Sequence, residues 1–385
     1  MSKTEKMELF DVPDTVSNPM LSFKNQKTKI VKEYVYVKFT IMDFSREIMV
    51  EILSRLTIKP IFRCKTVCKR WYNLLTSDPL FVKMYQTRSC KFPCILLSND
   101  DSTASVLELK ADYDYYSRSR NRPVMLSPEF HIPRHKDRFG YSFDRKKLEL
   151  IGSCNGLICL WSGDRYDENY SIYISNPLLG EYFKVKLPEW EKGVCRVAYT
   201  LCYSEGSGQY KGLRSVIRKV RGRPEVSELE VCNLGVDEKW RNVGEAAFPA
   251  RIHSFNLVTE EVKPVPVPPG LKTPSLGLRL AELGNCLCLT DSCSFQHVDI
   301  WWMKEYGIAD SWTKDCILTN FYSARRHTEL LSYNPKEKKF RKVKVYDGGY
   351  AATKYIPSFY SLKTVMGESF QISNAYPKAE IVLDI

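Results

Sequence analysis

The chain has 385 residues, which at roughly 100–200 residues per domain predicts two or three domains, with one large all-β domain as the alternative. Hydrophobic residues make up 44% of the sequence and charged residues 26%, a balance that excludes global disorder. The net charge of +12 is unevenly spread. Residues 1–90 hold 16 basic and 9 acidic side chains, whereas the remaining 295 residues hold 41 and 36. A nucleic-acid-binding body of that size would concentrate more positive charge.

The N-terminal region and the cysteines indicate the cellular compartment of the protein. Residues 1–42 begin with charged side chains where a secretory signal needs an apolar run, and no stretch reaches the roughly 20 apolar residues of a membrane-spanning helix. We predict a flexible leader over residues 1–42, with a short strand over 35–41 left open, and no membrane partner. The 13 cysteines are odd in number and lack the regular spacing of a disulfide scaffold. They favour reduced thiols in the cytoplasm or nucleus.

Residues 43–82 have the pattern of three short helices. Asp43 and Ser45 are typical N-terminal caps, and Glu47 places negative charge in the first turn. The segment 57–60 breaks the first helix, and Pro60 is predicted at the first position of the second helix. The segment 77–79 ends the third helix, after which residues 80–82 are expected to fold back. The apolar positions with helical spacing are Ile48, Met49, Ile52, Leu53 and Leu56, then Ile61, Phe62, Cys64 and Val67, then Trp71, Leu74 and Leu75.

This module carries more apolar positions than three short helices can hide from each other. A unit of 40 residues also buries little apolar surface by itself. The excess predicts burial against the rest of the chain or against a partner. On the pattern alone, an ordinary helical cap on the following domain is the competing interpretation.

Three stretches of this module resemble the F-box of plant F-box proteins. They are residues 47–56 (Glu-Ile-Met-Val-Glu-Ile-Leu-Ser-Arg-Leu), 67–71 (Val-Cys-Lys-Arg-Trp) and 77–82 (Ser-Asp-Pro-Leu-Phe-Val). The resemblance implies a trihelical module that binds a Skp-type adaptor and, through it, a cullin scaffold. Carried over by position, the adaptor-binding residues are Ile48, Ile52, Leu53, Leu56, Ile61, Phe62, Val67, Cys68 and Trp71. Some of these must instead hold the three helices together, and the sequence does not divide the two roles.

The module departs from the family pattern at two places. The family usually opens with Leu-Pro where this chain has Phe44 and Ser45. It commonly has Pro at the position of Thr57 and a small polar residue at that of Pro60. Phe44 supplies apolar area similar to the missing leucine, and Ser45 can cap the helix, so adaptor binding is expected to be weakened and not abolished.

The segment 90–365 has short apolar runs broken by Gly, Pro, Asn and Asp, which is typical of an all-β sandwich or propeller. A repeat favours the propeller: Asn176, Asn256 and Asn334 lie 80 and 78 positions apart, and each precedes an apolar residue by six positions and a valine by nine. Each copy predicts a hairpin with an Asn-led turn. A second echo relates residues 155–160 (Asn-Gly-Leu-Ile-Cys-Leu) to 284–289 (Gly-Asn-Cys-Leu-Cys-Leu).

The same segment resembles the F-box-associated domain, which is related to kelch-type propellers. The matching stretches are residues 151–160, 175–182, 240–241, 300–307 and 311–312. The resemblance implies capture of a protein target. Between Arg241 and Ser254 the family usually has a further strand pair, but here only residues 242–253 intervene. We therefore expect an incomplete blade with an unpaired edge, in a chain that is either destabilised or lacks a segment in its written sequence.

Catalytic and metal patterns are weak in this sequence. The spacing of Cys90 and Cys94, and of His131 and His135, does not match a structural zinc site. Cys286, Cys288 and Cys293 are interpreted as core thiols. Motifs for a nucleophile elbow, a phosphate loop or a zinc protease are absent. No catalytic residue, metal or cofactor is predicted, and Trp301, Trp302 and Trp312 are assigned to the core rather than to a ligand cage.

Two basic runs offer an alternative function. Arg214, Arg218, Lys219, Arg221 and Arg223 form the denser run, and Arg118, Arg120 and Arg122 form the other. They are interpreted as exposed loops or strand faces, with a patch for an acidic protein or nucleic acid as the alternative.

The resemblances and the residue patterns together predict an α+β multidomain chain. Its parts are a leader (1–42), a trihelical F-box (43–83), an all-β kelch-like propeller domain (90–365) and a C-terminal tail (366–385). The implied function is that of a non-catalytic substrate receptor of a Skp–cullin–F-box ubiquitin ligase in the cytoplasm or nucleus. The target and its binding residues cannot be read from the sequence. The alternative is a basic nucleic-acid-binding or general protein-interaction module.

Overall fold

The computed structural model describes residues 44–89, 94–98, 104–108, 124–126, 148–163, 170–218, 226–247, 252–271, 278–291, 297–318, 330–334, 339–343, 351–367 and 371–374. The described residues from Ser45 onward belong to one compact unit. The predicted leader, the strand over 35–41 and the cap Asp43 lie outside the described residues.

Four helices open the described chain: α1 (Arg46–Leu53), α2 (Ile58–Lys65), α3 (Lys69–Ser77) and α4 (Pro79–Ser89). The predicted N-cap is confirmed, because the Ser45 hydroxyl accepts the backbone N–H of Ile48 at 3.4 Å. The predicted place of Pro60 is wrong: α2 begins two residues earlier, at Ile58, so Pro60 is its third residue. That position is tolerated because the first backbone N–H groups of a helix have no partner within it.

The fourth helix corrects the expectation that residues 80–82 fold back after a trihelical module. Pro79 is the first residue of α4, where its missing N–H costs nothing. The Asp78 carboxylate accepts the N–H groups of Leu80 at 2.9 Å and Phe81 at 3.2 Å, which caps the new helix. The cue Ser77-Asp78-Pro79 therefore both ends α3 and starts α4, which runs to Ser89.

The regular structure in the remainder of the described chain is β-strand, apart from one 3-10 turn (Ala309–Ser311) and a short helix α5 (Leu362–Met366). The strands are β1 (Cys94–Ser98), β2 (Ala104–Glu108), β3 (Val124–Leu126), β4 (Leu148–Cys154), β5 (Leu157–Gly163), β6 (Tyr170–Asn176), β7 (Glu181–Lys184), β8 (Val194–Ser204), β9 (Gln209–Arg218), β10 (Val226–Asn233), β11 (Arg241–Ala247), β12 (His253–Phe255), β13 (Val262–Pro264), β14 (Leu278–Leu283), β15 (Cys286–Asp291), β16 (His297–Met303), β17 (Trp312–Leu318), β18 (Leu330–Asn334), β19 (Lys339–Val343), β20 (Ala351–Tyr355) and β21 (Ser373–Asn374).

Four antiparallel sheets of four or five strands have a propeller-like arrangement of four blades, which confirms the predicted fold class of helices followed by an all-β domain. Their strand orders are β20-β1-β2-β3, β21-β7-β6-β5-β4, β11-β10-β9-β8 and β14-β15-β16-β17. The late strand β20 pairs with the early strand β1, so the first blade joins the two ends of the domain. β4 packs beside both β8 and β20.

The predicted repeat is confirmed as three hairpins: β6–β7, β12–β13 and β18–β19. In the first two, the repeated asparagine accepts two backbone N–H groups of its own turn through Oδ1. Asn176 accepts those of Leu178 and Leu179, and Asn256 those of Val258 and Thr259. The fourth turn residue is left-handed in both copies, at Gly180 (φ 73°) and Glu260 (φ 59°). The second echo is also confirmed: residues 155–156 and 284–285 are two-residue turns with positive φ.

The repeat extends to the blade that follows each of the first two hairpins. The indole Nε1 of Trp240, the residue just before β11, donates to the carbonyl oxygen of Lys186 at 2.9 Å. Trp312, at the start of β17, donates in the same way to that of Pro266, also at 2.9 Å. A hairpin followed by a four-stranded sheet and bonded to it by a tryptophan therefore occurs twice in the described part of the domain.

The sequence predicted an incomplete blade at the short segment 242–253. Hairpin β6–β7 is extended by β5 and β4, whereas β12–β13 is a two-stranded sheet in the part of the chain that the structure describes. β11 itself pairs fully with β10, so the blade before the short segment is complete. β18–β19 is likewise two-stranded in the described ranges, so the short segment does not by itself account for the two strands of β12–β13.

A partly buried ion-pair network joins the β12–β13 hairpin to the sheet β11-β10-β9-β8. The Glu260 carboxylate lies 2.5 Å from the Lys211 ammonium on β9 and 2.7 Å from the Arg241 guanidinium on β11. The Lys211 side chain is only 6% exposed. Hydrogen bonding from Arg241, helped by Lys211, lowers the pKa of Glu260 to about 2, against the opposing effect of burial. The contribution of Glu260 to stability is therefore present above its unfolded-state pKa and is lost as the pH falls toward 2.

Replacing Glu260 by glycine is expected to destabilise the protein. Glycine relieves a left-handed backbone that costs about 1 kcal/mol, but it leaves Lys211 buried without its carboxylate, which costs roughly 3 kcal/mol. The net loss of roughly 2 kcal/mol would be measured by urea unfolding. Glu261→Gln is the matched control, because Glu261 is exposed and its ion-pair partner among the described residues is the exposed Lys263. A Glu260→Gly variant as stable as wild type would contradict the role of the network.

Candidate functional site

The structure separates the nine predicted adaptor-binding residues by exposure. Ile48 is 47% exposed, Ile52 38% and Val67 56%, whereas Leu56 and Cys68 are half-buried. The four buried members are Leu53, Ile61, Phe62 and Trp71. The apolar pattern of α1 thus belongs to two faces. Met49, Val50 and Leu53 face the interior of the chain, while Ile48 and Ile52, one helical turn apart, face outward.

One exposed apolar residue of this module was missed. Tyr72 is 50% exposed and directly follows the buried Trp71 on α3. Successive helical residues point about 100° apart, so a buried residue at 71 is itself a signal that residue 72 faces elsewhere. Ile48, Ile52, Val67 and Tyr72 are together named the apolar docking surface, after the role proposed for them below. They are four of the nine large hydrophobic side chains found exposed in the described ranges.

Ion pairs hold α1, which carries two of these residues, in place. The Arg88 guanidinium on α4 donates to both carboxylate oxygens of Glu51, at 2.9 and 2.8 Å. These hydrogen bonds, followed by those from Arg55, lower the pKa of Glu51. At the start of the helix, Arg46 makes a bidentate contact with Asp78, at 2.5 and 2.7 Å. The exposed face of α1 is therefore fixed from both ends against the other helices.

The helical module is strongly basic. Residues 44–89 contain nine arginines and lysines but three acidic residues, and each acid is paired with an arginine of the same module. Four of the exposed cations are Arg63, Lys69, Arg70 and Lys83. An apolar surface within such a positive field suits a partner whose docking face is apolar at its centre and acidic at its rim.

The basic run near residue 214 is not an exposed patch where the structure describes it. The Arg214 side chain is only 4% exposed and lies 2.7 Å from Glu230 of the adjacent strand. Arg218 pairs with Glu228 at 2.9 Å and with Glu191 at 2.8 Å. The expectation of exposure is therefore wrong for Arg214. The other members of the two basic runs lie outside the described residues: Lys219, Arg221, Arg223, Arg118, Arg120 and Arg122.

The tryptophans are confirmed as core residues. Trp301 and Trp312 pack in one cluster with Ile252, Val265 and Met303, and Trp302 packs with Cys288 and Ile300. Each indole is 7% exposed.

The predicted core thiols agree with the structure where it describes them. Cys288 and Cys94 are buried and Cys286 is half-buried, while Cys90, Cys293, His131 and His135 lie outside the described residues. Within the described ranges, no three His, Cys, Asp or Glu side chains are placed to hold a metal ion. The described helices include none with the length and apolar character needed to cross a membrane.

Comparison with protein families identifies the helical module. Residues 41–83 match the F-box domain. The chain carries an N-terminal F-box. The match covers α1, α2 and α3 and the first half of α4, and it contains all nine residues predicted to bind the adaptor.

Several curated proteins of Arabidopsis thaliana are similar to the chain. F-box protein At3g07870 is 27% identical over 340 residues, covering 76% of this chain and 77% of the relative. F-box/kelch-repeat protein At3g23880 is 24% identical over 307 residues, covering 70% and 77%. F-box protein At2g23160 is 35% identical over 141 residues, covering 36% and 44%. An F-box with relatives of this kind supports, in general terms, a substrate-adaptor role in an SCF-type ubiquitin ligase, a role that is typically non-catalytic.

Proposed function

We propose that the chain is the substrate-recognition subunit of a Skp–cullin–F-box ubiquitin ligase, acting in the cytoplasm or nucleus. In this proposal the F-box docks a Skp-type adaptor through the apolar docking surface, and the β-domain binds a protein target. The observation that carries the proposal is the exposure of Ile48, Ile52 and Val67 within a matched F-box domain. Such large apolar side chains gain free energy when a partner removes them from water.

The buried members of the predicted set have a supporting role in this proposal. Leu53 and Phe62 are each 1% exposed and Ile61 is fully buried, so they hold the helices together. Leu56 and Cys68, which are half-buried, would form the border of the contact with the adaptor. The basic rim would raise the rate of association with an acidic adaptor face, and this part of the interaction would weaken with salt.

The β-domain is proposed to be kelch-related and to present the target. This is supported by its propeller-like sheets, by the repeat of hairpin and blade, and by the similarity to a relative named as a kelch-repeat protein. Its contribution to ubiquitin transfer would be proximity. Holding a target's lysines beside a charged conjugating enzyme raises their effective concentration.

The experiment that tests the proposal is direct binding of the purified full chain to a purified Skp-type adaptor, measured by calorimetry at two salt concentrations. We expect a complex of one to one, with the affinity falling as salt rises. Failure of the folded chain to bind any Skp-type adaptor at low salt would overturn the proposal.

A further inference from the structure

The segment Pro357–Met366, named here the C-terminal strap, lies between the F-box helices and the β-domain. It follows β20, so it comes from near the end of the chain. Phe359 is 1% exposed, and its ring lies 5.6 Å from that of Phe81 and 5.0 Å, edge-on, from that of Tyr85. Phe81 and Tyr85 are one turn apart on α4, so the strap inserts a single aromatic side chain against one face of that helix.

A lysine of α2 extends the same contact. The Lys65 ammonium lies 4.9 Å from the centre of the Phe62 ring and 5.4 Å from that of Phe359. It also donates to the carbonyl oxygen of Leu178, in the β6–β7 turn, at 3.2 Å. Burial lowers the pKa of Lys65 to about 8, while Glu181 opposes that effect. A charge so enclosed stays in place because these partners compensate its lost hydration.

The strap is anchored on the β-domain by buried polar contacts. The side-chain amide of Asn176 donates to the carbonyl oxygens of Ser358 and Tyr360, at 3.0 and 2.8 Å. The Glu181 carboxylate accepts the Ser361 hydroxyl at 2.9 Å and the Leu362 backbone N–H at 2.6 Å, which holds the start of α5. Leu362 and Met366, at the two ends of α5, belong to the main core of the β-domain.

Close backbone approach makes this fit specific. A Cβ placed on Gly156 would lie 2.0 Å from the Cβ of Ser358, and one on Gly235 would lie 2.7 Å from the carbonyl oxygen of Met366. Only glycine lets the strap lie this close to the β4–β5 turn, at Gly156, and to the turn that follows β10, at Gly235. A second bridge from α4 is independent of the strap: the Gln86 amide donates to Asn155 Oδ1 at 2.9 Å.

We propose that the C-terminal strap fixes the orientation of the F-box on the β-domain, and that Phe359 is the positioning residue of this joint. Contacts from α2 and α4 reach two different turns and the strap, so the F-box cannot pivot about a single point. The consequence of this joint for ubiquitin transfer rests on the proposed function. A target held by the β-domain would present a restricted set of lysines to the conjugating enzyme, because proximity acts through defined geometry.

The test compares wild type with Phe359→Ala and the conservative Phe359→Leu. Full-length chains are assembled with the adaptor, the cullin and a charged conjugating enzyme, and the probe is ubiquitin transfer onto the chain's own lysines, mapped by mass spectrometry. We expect wild type and Phe359→Leu to modify the same restricted set. In Phe359→Ala the share of ubiquitin on that set should fall by about threefold or more. Adaptor affinity should be unchanged, because Phe359 is 1% exposed and is not one of the four residues of the apolar docking surface.

Hydrogen exchange, measured on the chains without adaptor or cullin, tests the contact between the strap and α4 independently of ligase activity. Amides of α4 should exchange about tenfold faster in Phe359→Ala, while those of β5 keep their protection. Lys65→Met is the second variant, should Phe359→Ala fail to fold; it removes the bond to Leu178 but keeps an apolar stem. Unchanged α4 exchange, or an unchanged lysine set in a variant whose α4 is loosened, would overturn the inference. Absence of adaptor binding would instead contradict the proposed function. The exchange rates of α4 would then still show whether the strap holds the F-box on the β-domain.

Discussion

Replacing Ile48 by Glu together with Ile52 by Lys is expected to abolish adaptor binding without lowering the melting temperature. Both side chains are exposed on α1, so neither substitution opens a cavity. The pair places opposite charges four residues apart, glutamate first, which supports an isolated helix by about 0.3–0.5 kcal/mol. In the complex, however, the two charges would be buried in an apolar contact at a cost of several kcal/mol, or roughly a thousandfold in affinity.

Two further variants separate docking from folding. Leu53→Ala lies on the same helix but removes a side chain that is 1% exposed, and it is expected to destabilise the F-box by about 2–5 kcal/mol. Val258→Glu is the matched surface control, because Val258 is 68% exposed in the β12–β13 turn, and it should alter neither stability nor affinity. Calorimetric titration with the adaptor and thermal unfolding would be run on all three. Tight binding by the Ile48→Glu/Ile52→Lys chain would place the adaptor elsewhere.

The helical spacing predicted where α1, α2 and α3 lie but not which apolar residues stay exposed. Ile48, Ile52 and Leu53 belong to one run at helical spacing, and a run of that width is buried on one side only. The burial of α1 depends on α4, which packs against it and donates Arg88 to Glu51. Because α4 was expected to be a turn, the sequence could not divide the docking surface from the helix interior.

Local signals served better in the β-domain. An asparagine that accepts the N–H groups two and three residues ahead forms a turn from nearby residues alone, so the hairpins at Asn176 and Asn256 were predictable. The C-terminal strap was not foreseen. Its main bonds join residues about 180 positions apart, as between Asn176 and Ser358, and no periodicity marks such a pair.

The asparagine that begins each turn is expected to contribute much more to the free energy of unfolding at position 176 than at position 256. Asn176 is fully buried and makes four hydrogen bonds, two to the turn and two to the strap. Asn176→Ala leaves the carbonyl oxygens of Ser358 and Tyr360 without their donor inside the protein. Each unsatisfied buried group costs about 1–3 kcal/mol, so a total loss of roughly 3–5 kcal/mol is expected. Asn256 is exposed, and among the described residues its side chain bonds to its own turn alone, where water can replace it. Asn256→Ala should therefore cost about 1 kcal/mol or less.

Aspartate at each position tests whether the donors or the acceptor carry this difference. Asn256→Asp keeps the Oδ1 acceptor that the turn uses and should be nearly neutral. Asn176→Asp keeps that acceptor as well, but it loses both donors and faces a carboxylate toward two carbonyl oxygens, so it should destabilise at least as much as alanine. Urea unfolding of the four variants gives the comparison. Equal losses at 176 and 256 would mean that the turn alone is stabilised. A large loss confined to 176 would mean that this asparagine joins the first hairpin to the strap, and thereby to the F-box that the strap supports.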